Sequence, residues 1–537
     1  MLPSPESTAP RVLIVGAGPT GLTLANALAL YGISFVIVDR REGPTTDSKG
    51  LTLNIATQYG FALLGMAEVL QQSGCPIHRL NISWQGKRLT AVDFRRLDFP
   101  IRQLKAQPQA TTEQTLILAL RNQGHEVRWG TEVLRIEEDR ERIYANWREP
   151  DDNEQGAAFE YVVGCDGKSS LVRQVMEGKL SGQDYPMYFV LGDFQLDWDE
   201  RDDHVYYQVF DGDFFILVPI GDGYWRVVVK HDGAVPVDAP IDERSITDLV
   251  IRYLGRDIFL GEAKWISRAP FYNRVCDRLR KGRMFIAGDA AHLFSPIGGT
   301  GMNTGIQDAL NLAWKLAWRM QGCTSDALLD SYEAERLHAI KATAETTDHS
   351  TRLISRLEKD AERIACFLPR MANRDQLREH MPLLYSGLML RYPAEVLFGS
   401  SSASKAGHLC FWAGALLSEL RRAGNMRLAH HGLVLAAWPT AGLDAGQETA
   451  LATALLSLSH THAAICTFAL LVPAALSEEL RSRVLVPALA MIEREAHPEA
   501  DIAPGEIAFI RPDGIFGHVD TLAQIDNFKH FLEAYVG

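Results

Sequence analysis

Apolar residues fall along this chain in two rhythms. Near the N-terminus a solid run, Val12 to Val15, leads into a glycine-rich turn, then a small-residue stretch from about Gly21 to Leu30. A second solid run, Phe35 to Val38, follows and ends in Asp39. Unbroken runs this short mark strands buried on both faces, and the stretch between them suits a helix lying close on the strands. The pattern predicts one βαβ unit beginning almost at the N-terminus.

Farther on the rhythm changes. Residues 80–110 predict short strands and loops, Thr111 to Gln123 a helix, and 127–165 more strands. Between 185 and 270 aromatic and polar residues alternate, as in Val205–Phe210 and Trp225–Val229. A period of two predicts an antiparallel sheet. Met284 to Ala287 predicts another buried strand, followed by a glycine-rich loop and a long helix from about Gly305 to Met320. Residues 350–395 are helical and charged in pattern, and GSSSASKAG near residue 400 has the composition of a linker. Beyond it short strands and helices alternate, predicting a separate α/β unit.

Composition narrows the function classes. A chain of 537 residues is too long for one compact core, so two or three domains are expected. A net charge of −13 argues against a nucleic-acid partner, which needs a basic face. The seven cysteines are dispersed and form no C-x-x-C pair, which fits free thiols in a reducing compartment and neither a disulfide framework nor a zinc or other metal site. The opening MLPSPESTAP has no basic start or apolar core and is not a secretory signal. The longest apolar run, Ala463 to Leu476, is broken by Pro473 and falls short of the roughly 20 residues a membrane span needs. A cytoplasmic protein with no membrane span is expected.

Three motifs carry chemistry. In Gly16-Ala-Gly18-Pro-Thr-Gly21, Gly16 permits the tight turn, Gly18 lets a pyrophosphate approach the backbone, and Gly21 lets helix and strand pack closely. The helix N-terminus then faces phosphate, and Asp39 is placed for a ribose hydroxyl. The pattern alone is weak, but strand, helix, acidic residue and spacing agree here, against the plainer reading of a βα turn with no ligand. The second motif is Tyr161-Val-Val-Gly-Cys-Asp166-Gly167-Lys-Ser169-Ser-Leu-Val-Arg173. By itself it reads as an ordinary Asp-Gly turn capped by Ser169. The third runs from Gly282 through Gly288-Asp289-Ala-Ala-His292 and Pro296-Ile-Gly298-Gly299-Thr-Gly301-Met302-Asn303 to Lys315. There a strand ends in an acid suited to polyol hydroxyls, and a proline leads into glycines that open a helix.

The three motifs in this order, together with Leu329-Asp-Ser-Tyr332-Glu-Ala-Glu335-Arg336, resemble the class A flavoprotein monooxygenases over about residues 10–345. The layout is similar to the larger phenol-hydroxylase-like members, such as pentachlorophenol 4-monooxygenase. The resemblance implies a mixed α/β fold: a Rossmann-like FAD-binding domain (1–180 and 270–345, with substrate-domain strands inserted near 80–110) interleaved with an antiparallel substrate-binding sheet (181–269). A helical linker region (346–400) and a thioredoxin-like C-terminal domain (401–537) follow, the latter on Ile510-Arg-Pro-Asp-Gly514. That last unit has no C-x-x-C and is expected to be structural, with homodimerisation as a further role open to it.

The implied chemistry is hydroxylation of a small phenolic or related aromatic substrate through a C4a-hydroperoxyflavin, with O₂ and transient NADPH or NADH. No second G-x-G-x-x-G marks a nicotinamide domain. Carried over by residue, Gly16, Gly18, Gly21 and Asp39 hold the ADP half of non-covalent FAD, with Arg40 nearby. Gln109 and Asp289 face the ribityl chain, Pro296 lies beside the ring, and Gly299, Gly301, Met302 and Asn303 lie at its pyrimidine edge. Helix-start amides there suit the anionic reduced ring, by roughly 1 kcal/mol. Asp166 is implicated in both FAD and NAD(P)H binding. One departure is that only Lys49 stands where the family often carries an arginine.

The catalytic group is the least marked. The pocket is expected to favour deprotonation of the substrate, and Tyr207 and Arg226 are the candidates among Tyr206, Phe210, Phe214, Phe215 and Trp225, most of which read as core. His292 reads as flavin-side scaffolding. Baeyer–Villiger or epoxidising oxygenation on the same fold, and a flavin- or ligand-binding protein without turnover, stay open. A flavin halogenase is disfavoured by the lack of a W-x-W-x-x-P run.

Overall fold

The computed structural model describes residues 10–536 except 47, 199, 211–213, 233–240, 242, 255–258, 324, 356–374, 394–406, 408–430, 440–444, 463–465, 473–488 and 494–501. The linker expected at 399–407, apart from Gly407, and residues 1–9 lie outside the described residues.

The solid apolar runs do form a parallel sheet. Val12–Val15 lies between the edge strand Phe35–Val38 and the central strand Tyr161–Gly164, in register with both from Val12 to Val15. Met284–Ile286 extends the sheet in parallel, and Arg280–Lys281 closes its edge as a short antiparallel strand. Helices Pro19–Leu30 and Thr300–Met320 pack against each other. Their small residues allow a close approach: a Cβ on Gly305 of the second helix would collide with the Thr20 side chain of the first.

The alternating region builds an eight-stranded sheet. Its order is His292–Leu293, Phe259–Cys276, Leu180–Asp197, Tyr224–Asp232, Phe214–Gly221, His204–Val209, Arg79–Trp84 and Lys87–Asp93. All its neighbours are antiparallel except His204–Val209 with Arg79–Trp84. The period of two sorts its side chains cleanly. Trp225, Val227 and Val229 pack with Ile246 and Val250 of helix Glu243–Leu254. Val228, Ile216, Val218 and Val205 belong to the core on the opposite face. Tyr206, Phe210, Phe215 and Trp225 are therefore core beneath the helix, as strand aromatics usually are.

The C-terminal residues form a third sheet, ordered Leu489–Glu493, Cys466–Val472, Gly432–Ala437, Glu506–Ile510 and Phe516–Thr521. The first three strands are parallel and the last two antiparallel to their neighbours. It is joined to the rest through the turn after Ile510, where Arg511, fully buried, pairs with Glu335 of the long helix Asp326–Ser355. No described helix is long and apolar enough to cross a membrane.

Candidate functional site

One cavity of about 590 Å³ runs between the parallel sheet and the eight-stranded sheet. One end is polar and glycine-rich, lined by Gly18, Thr20, Gln109, Asp289, Pro296 and Gly299 among others. The other is an apolar chamber under the sheet, lined by Leu80, Val205, Tyr207, Ile216, Val218 and neighbours.

The polar end starts at the first βα turn. Gly16 takes φ +103°, and a Cβ there would meet the Cys165 carbonyl oxygen at 2.3 Å, so glycine is required. Gly18, in contrast, has nothing within 4 Å of where its Cβ would stand. Its backbone is bare toward the cavity, as close approach of a phosphate needs. Asp39, buried at the end of its strand, accepts the Ala17 N–H at 2.7 Å and the Arg41 N–H at 2.9 Å. Arg41 also bridges Asp39 and the buried Glu113. Arg40, the neighbour expected here, is exposed, and the contacts belong to Arg41. Gln109 completes the row, donating to Glu113 at 3.1 Å and accepting from Gly50 N–H at 3.1 Å.

Asp289 sits at the middle of the cavity wall, and its carboxylate hydrogen-bonds no described residue. Burial raises its pKa, with His292 and Lys49 pulling it down. The loop that presents it is fixed from behind. Asp308, fully buried, accepts the Gly288 N–H at 3.0 Å, lies 2.8 Å from His292 Nε2, and accepts Arg336 Nε at 2.7 Å. Although burial works the other way, Arg336 and His292 hold the Asp308 carboxyl below its usual range. His292 is thus scaffolding behind the loop.

Past Pro296 the chain turns through Gly298 and Gly299, at φ +85° and +61°, and Gly299 caps the helix Thr300–Met320. The helix begins five residues before the expected Gly305, so the free first-turn amides are those of Thr300, Gly301 and Met302. Asn303 lies beyond them. Its side chain faces away from the cavity, donating to Thr52 O and Gly299 O at 2.7 Å each and accepting Asn54 N–H at 2.9 Å. It ties the helix start to the strand Thr52–Leu53 and does not line the cavity.

Asp166 is also set back from the cavity. Its Oδ2 accepts Leu171 N–H at 2.7 Å, and Ser170, rather than Ser169, caps the short helix Leu171–Val175. Its neighbours Cys165, Gly167 and Lys168 do reach the cavity. Arg173 bridges Lys168 O and Ala290 O, linking the second motif to the third.

In the chamber, Tyr207 and Arg226 both line the wall. The Arg226 guanidinium is fully committed: Nε and Nη2 donate to Asp193, Nη1 donates to Ser48 O, and the group stacks 4.6 Å over Trp265. It braces the 48–50 loop against the sheet with its charge already matched, so it is not an open cation for a substrate anion. Tyr207 makes no hydrogen bond to a described residue, and burial raises its pKa, so it stays a neutral phenol. Tyr385, from helix Asp375–Ser386, lines the same chamber. It escaped sequence reasoning because its helix looks like charged linker.

These features fit FAD. An unpartnered acid faces the cavity where a polyol would lie, bare glycine backbones stand at both the phosphate and the ring positions, and a free helix start closes the far side.

Comparison with known proteins gives the same picture. Residues 10–347 match a family described as FAD binding domain. The 6-methylpretetramide 4-monooxygenase of Streptomyces rimosus is 34% identical over 354 residues, covering 65% of this chain and 63% of that one. Pentachlorophenol 4-monooxygenase of Sphingobium chlorophenolicum is 30% identical over 346 residues, 64% of each chain. The chain thus spans just under two thirds of the length of these relatives. The structure of aklavinone-11 hydroxylase in a ternary complex with FAD and aklavinone is similar in fold, with a TM-score of 0.73 at 21% identity over 99% of each chain.

Proposed function

This chain belongs to the FAD-binding domain family, among the flavin-dependent aromatic monooxygenases, and from that premise we propose that it hydroxylates a phenol-like ring with NAD(P)H and O₂. The observation that carries the reading is the continuity of one cavity from the phosphate turn at Gly18, past Asp289 and the Gly298–Met302 turn, into an apolar chamber. A cofactor laid along the polar end would present its reactive ring toward the chamber.

FAD bound there supplies O₂ activation after reduction by NAD(P)H. The protein's share is binding, orientation and exclusion of water. Gly16, Gly18 and Gly21 shape the pyrophosphate turn, Asp39 meets the ribose with Arg41 behind it, and Asp289 takes ribityl hydroxyls. Gln109 would stand near the ribityl chain, and Pro296, Gly299 and the amides of Gly301 and Met302 would border the ring. Asp166 serves indirectly, by fixing the turn that carries Gly167 and Lys168.

Leu80, Val205, Ile216 and Val218 keep water from the reacting ring. Tyr207 donates a hydrogen bond to the substrate oxygen, which favours its phenolate form. The only carboxylate among the described cavity residues is Asp289, on the cofactor side. Activation of the phenol therefore works through donated hydrogen bonds and not through a carboxylate base. We read the C-terminal sheet as a thioredoxin-like structural unit.

The test is NADPH oxidation by the FAD-loaded protein with a panel of phenols under ¹⁸O₂. Phenol-stimulated oxidation with one labelled ring hydroxyl is expected. Labelled ester would transfer the reading to Baeyer–Villiger oxygenation, and no labelled product at all would refute oxygenation.

A further inference from the structure

The loop that presents Asp289 is tied to the C-terminal sheet by an unbroken line of buried hydrogen bonds. Gly288, the residue before Asp289, donates its N–H to Asp308 Oδ2 at 3.0 Å. The other oxygen of Asp308 accepts Arg336 Nε at 2.7 Å, and Arg336 Nη1 donates to the Tyr392 hydroxyl at 2.8 Å. Asn311 Nδ2 lies 3.4 Å from that hydroxyl and donates to Glu335 at 2.8 Å, and Glu335 accepts both amines of Arg511. Tyr392 is itself held from the C-terminal side. Its N–H donates to Gly407 O at 3.0 Å, and Gly407 N–H donates to Phe516 O at 2.8 Å.

The turn that carries Arg511 also reaches the second cofactor loop, by packing. A Cβ on Gly514 would stand 2.9 Å from both Tyr59 and Leu63, so the turn lies directly on helix Ile55–Leu63. That helix begins at Asn54, whose N–H donates to Asn303 Oδ1 at 2.9 Å, and Asn303 in turn donates to Gly299 O. Two routes therefore leave one turn and end at the two loops that border the polar end of the cavity. Adhesion alone does not call for this. Buried ions are costly to desolvate, and an apolar joint would hold two sheets together as well or better. Directional bonds fix position, and this line of them ends on the residue beside Asp289.

We propose that Arg511 is a positioning residue for the FAD site: through Glu335, Tyr392, Arg336 and Asp308 it holds the Gly288–Asp289 loop in the geometry that receives the cofactor. None of the described residues of the C-terminal sheet lines the cavity, so the sheet contributes to flavin binding only by this coupling. Coupling is reciprocal, so bound FAD stabilises the docked sheet in equal measure. This rests on the reading of Asp289 as the acid that meets FAD.

The test is titration of apoprotein with FAD, followed by flavin fluorescence well below the melting transition. A merely structural joint changes the melting temperature but not the affinity of the folded protein. Arg511→Gln is expected to weaken FAD binding about fivefold or more, the low end of coupling between linked sites. Tyr392→Phe, which keeps the ring and deletes only the bridging hydroxyl, is expected to weaken it as well. Phe531 packs on Phe509, His518 and Phe528, away from this line. Phe531→Leu is therefore expected to lower the melting temperature and leave FAD affinity unchanged. Unchanged FAD affinity in either Arg511→Gln or Tyr392→Phe overturns the inference, and so does an equal loss in Phe531→Leu. Should Arg511→Gln fail to fold, Tyr392→Phe decides by itself. Wild-type apoprotein that binds no FAD at all refutes the cofactor reading, and the inference falls with it.

Discussion

Glu335→Gln is the most informative single change, because Glu335 sits where three parts of the chain meet. Its carboxylate accepts Lys315 Nζ at 2.9 Å, Asn311 Nδ2 at 2.8 Å, and both Arg511 amines at 2.8 and 2.9 Å. Lys315 and Asn311 are on the helix that starts at the cofactor turn, and Arg511 is in the turn of the C-terminal sheet. With Asp513 the cluster holds two acids and two bases, all at most 5% exposed. Despite burial, which acts to raise it, Arg511 and Lys315 hold the Glu335 carboxyl at about 2 against its ordinary 4.5. By linkage that difference is worth about 3 kcal/mol at neutral pH. The folded value is depressed, so this stability is full above 4.5 and is lost as pH falls from 4.5 toward 2. Glutamine leaves two buried cations facing one acid, and removal of one partner from a buried pair costs about 3–5 kcal/mol. Thermal unfolding of both proteins from pH 7 to pH 3 tests this. The variant should melt several degrees lower at pH 7, and the gap should narrow below about pH 5. A gap that is absent at pH 7, or constant down to pH 3, would refute the reasoning.

Other consequences concern the cofactor end. Asp289→Ala should weaken FAD binding by about 10- to 150-fold, since it removes charge-assisted hydrogen bonds of about 1.5–3 kcal/mol. Fluorescence titration of apoprotein with FAD measures this, and an unchanged affinity would misplace the ribityl site. Gly18→Ala and Gly21→Ala should behave differently: the first has open space at its Cβ and should fold normally yet bind FAD poorly, while the second meets the Gly16 carbonyl at 2.0 Å and should fold poorly. Equal melting temperatures for the two would contradict the packing described. A bound phenol should accelerate flavin reduction by NADPH in stopped flow, because no dedicated nicotinamide domain is marked in the sequence and access must be gated. Equal rates with and without phenol would rule such gating out.

How much of this was legible in the sequence depends on how locally each part is built. The phosphate turn is one continuous segment whose glycines are forced by φ and by contact, so Gly16 and Gly21 declare themselves. Details that turn on one residue's direction did not. The contact of Arg41 with Asp39 carried no sequence mark, and Ser170 rather than Ser169 caps its helix. The helix at Thr300 was expected to start later because Thr, Gly and Asn are weak helix formers. Gly299, left-handed at its N-cap, and the Asn303 side chain fix the earlier start. Asn303 thereby serves the backbone rather than the ring edge. Arg226 was a candidate by resemblance alone, and its acid partner Asp193 could not be read locally because it lies on the neighbouring strand, set by pairing of Asp193 with Arg226. Tyr385 was illegible for the same reason: no local period says that a helix far along the chain will close a chamber formed by strands from residues 79 and 204.

The two ends of the cavity divide the work of recognition by the state of their charges. Asp289 hydrogen-bonds no described residue, and the helix start at Thr300 leaves its first amides free of helical partners, so the polar end is prepared for hydroxyls and a developing negative charge. In the chamber Arg226 is matched by Asp193 before any ligand arrives, and Tyr207 and Tyr385 offer neutral hydroxyls. A neutral donor loses less by desolvation than an ion and returns less per contact. On the proposed function, selection among ring substrates would rest on fit to the apolar wall plus a small number of hydrogen bonds. Substitutions at Tyr207 or Tyr385 should therefore shift preference among ring substrates while FAD stays bound, whereas substitutions at Asp289 should act on every substrate alike.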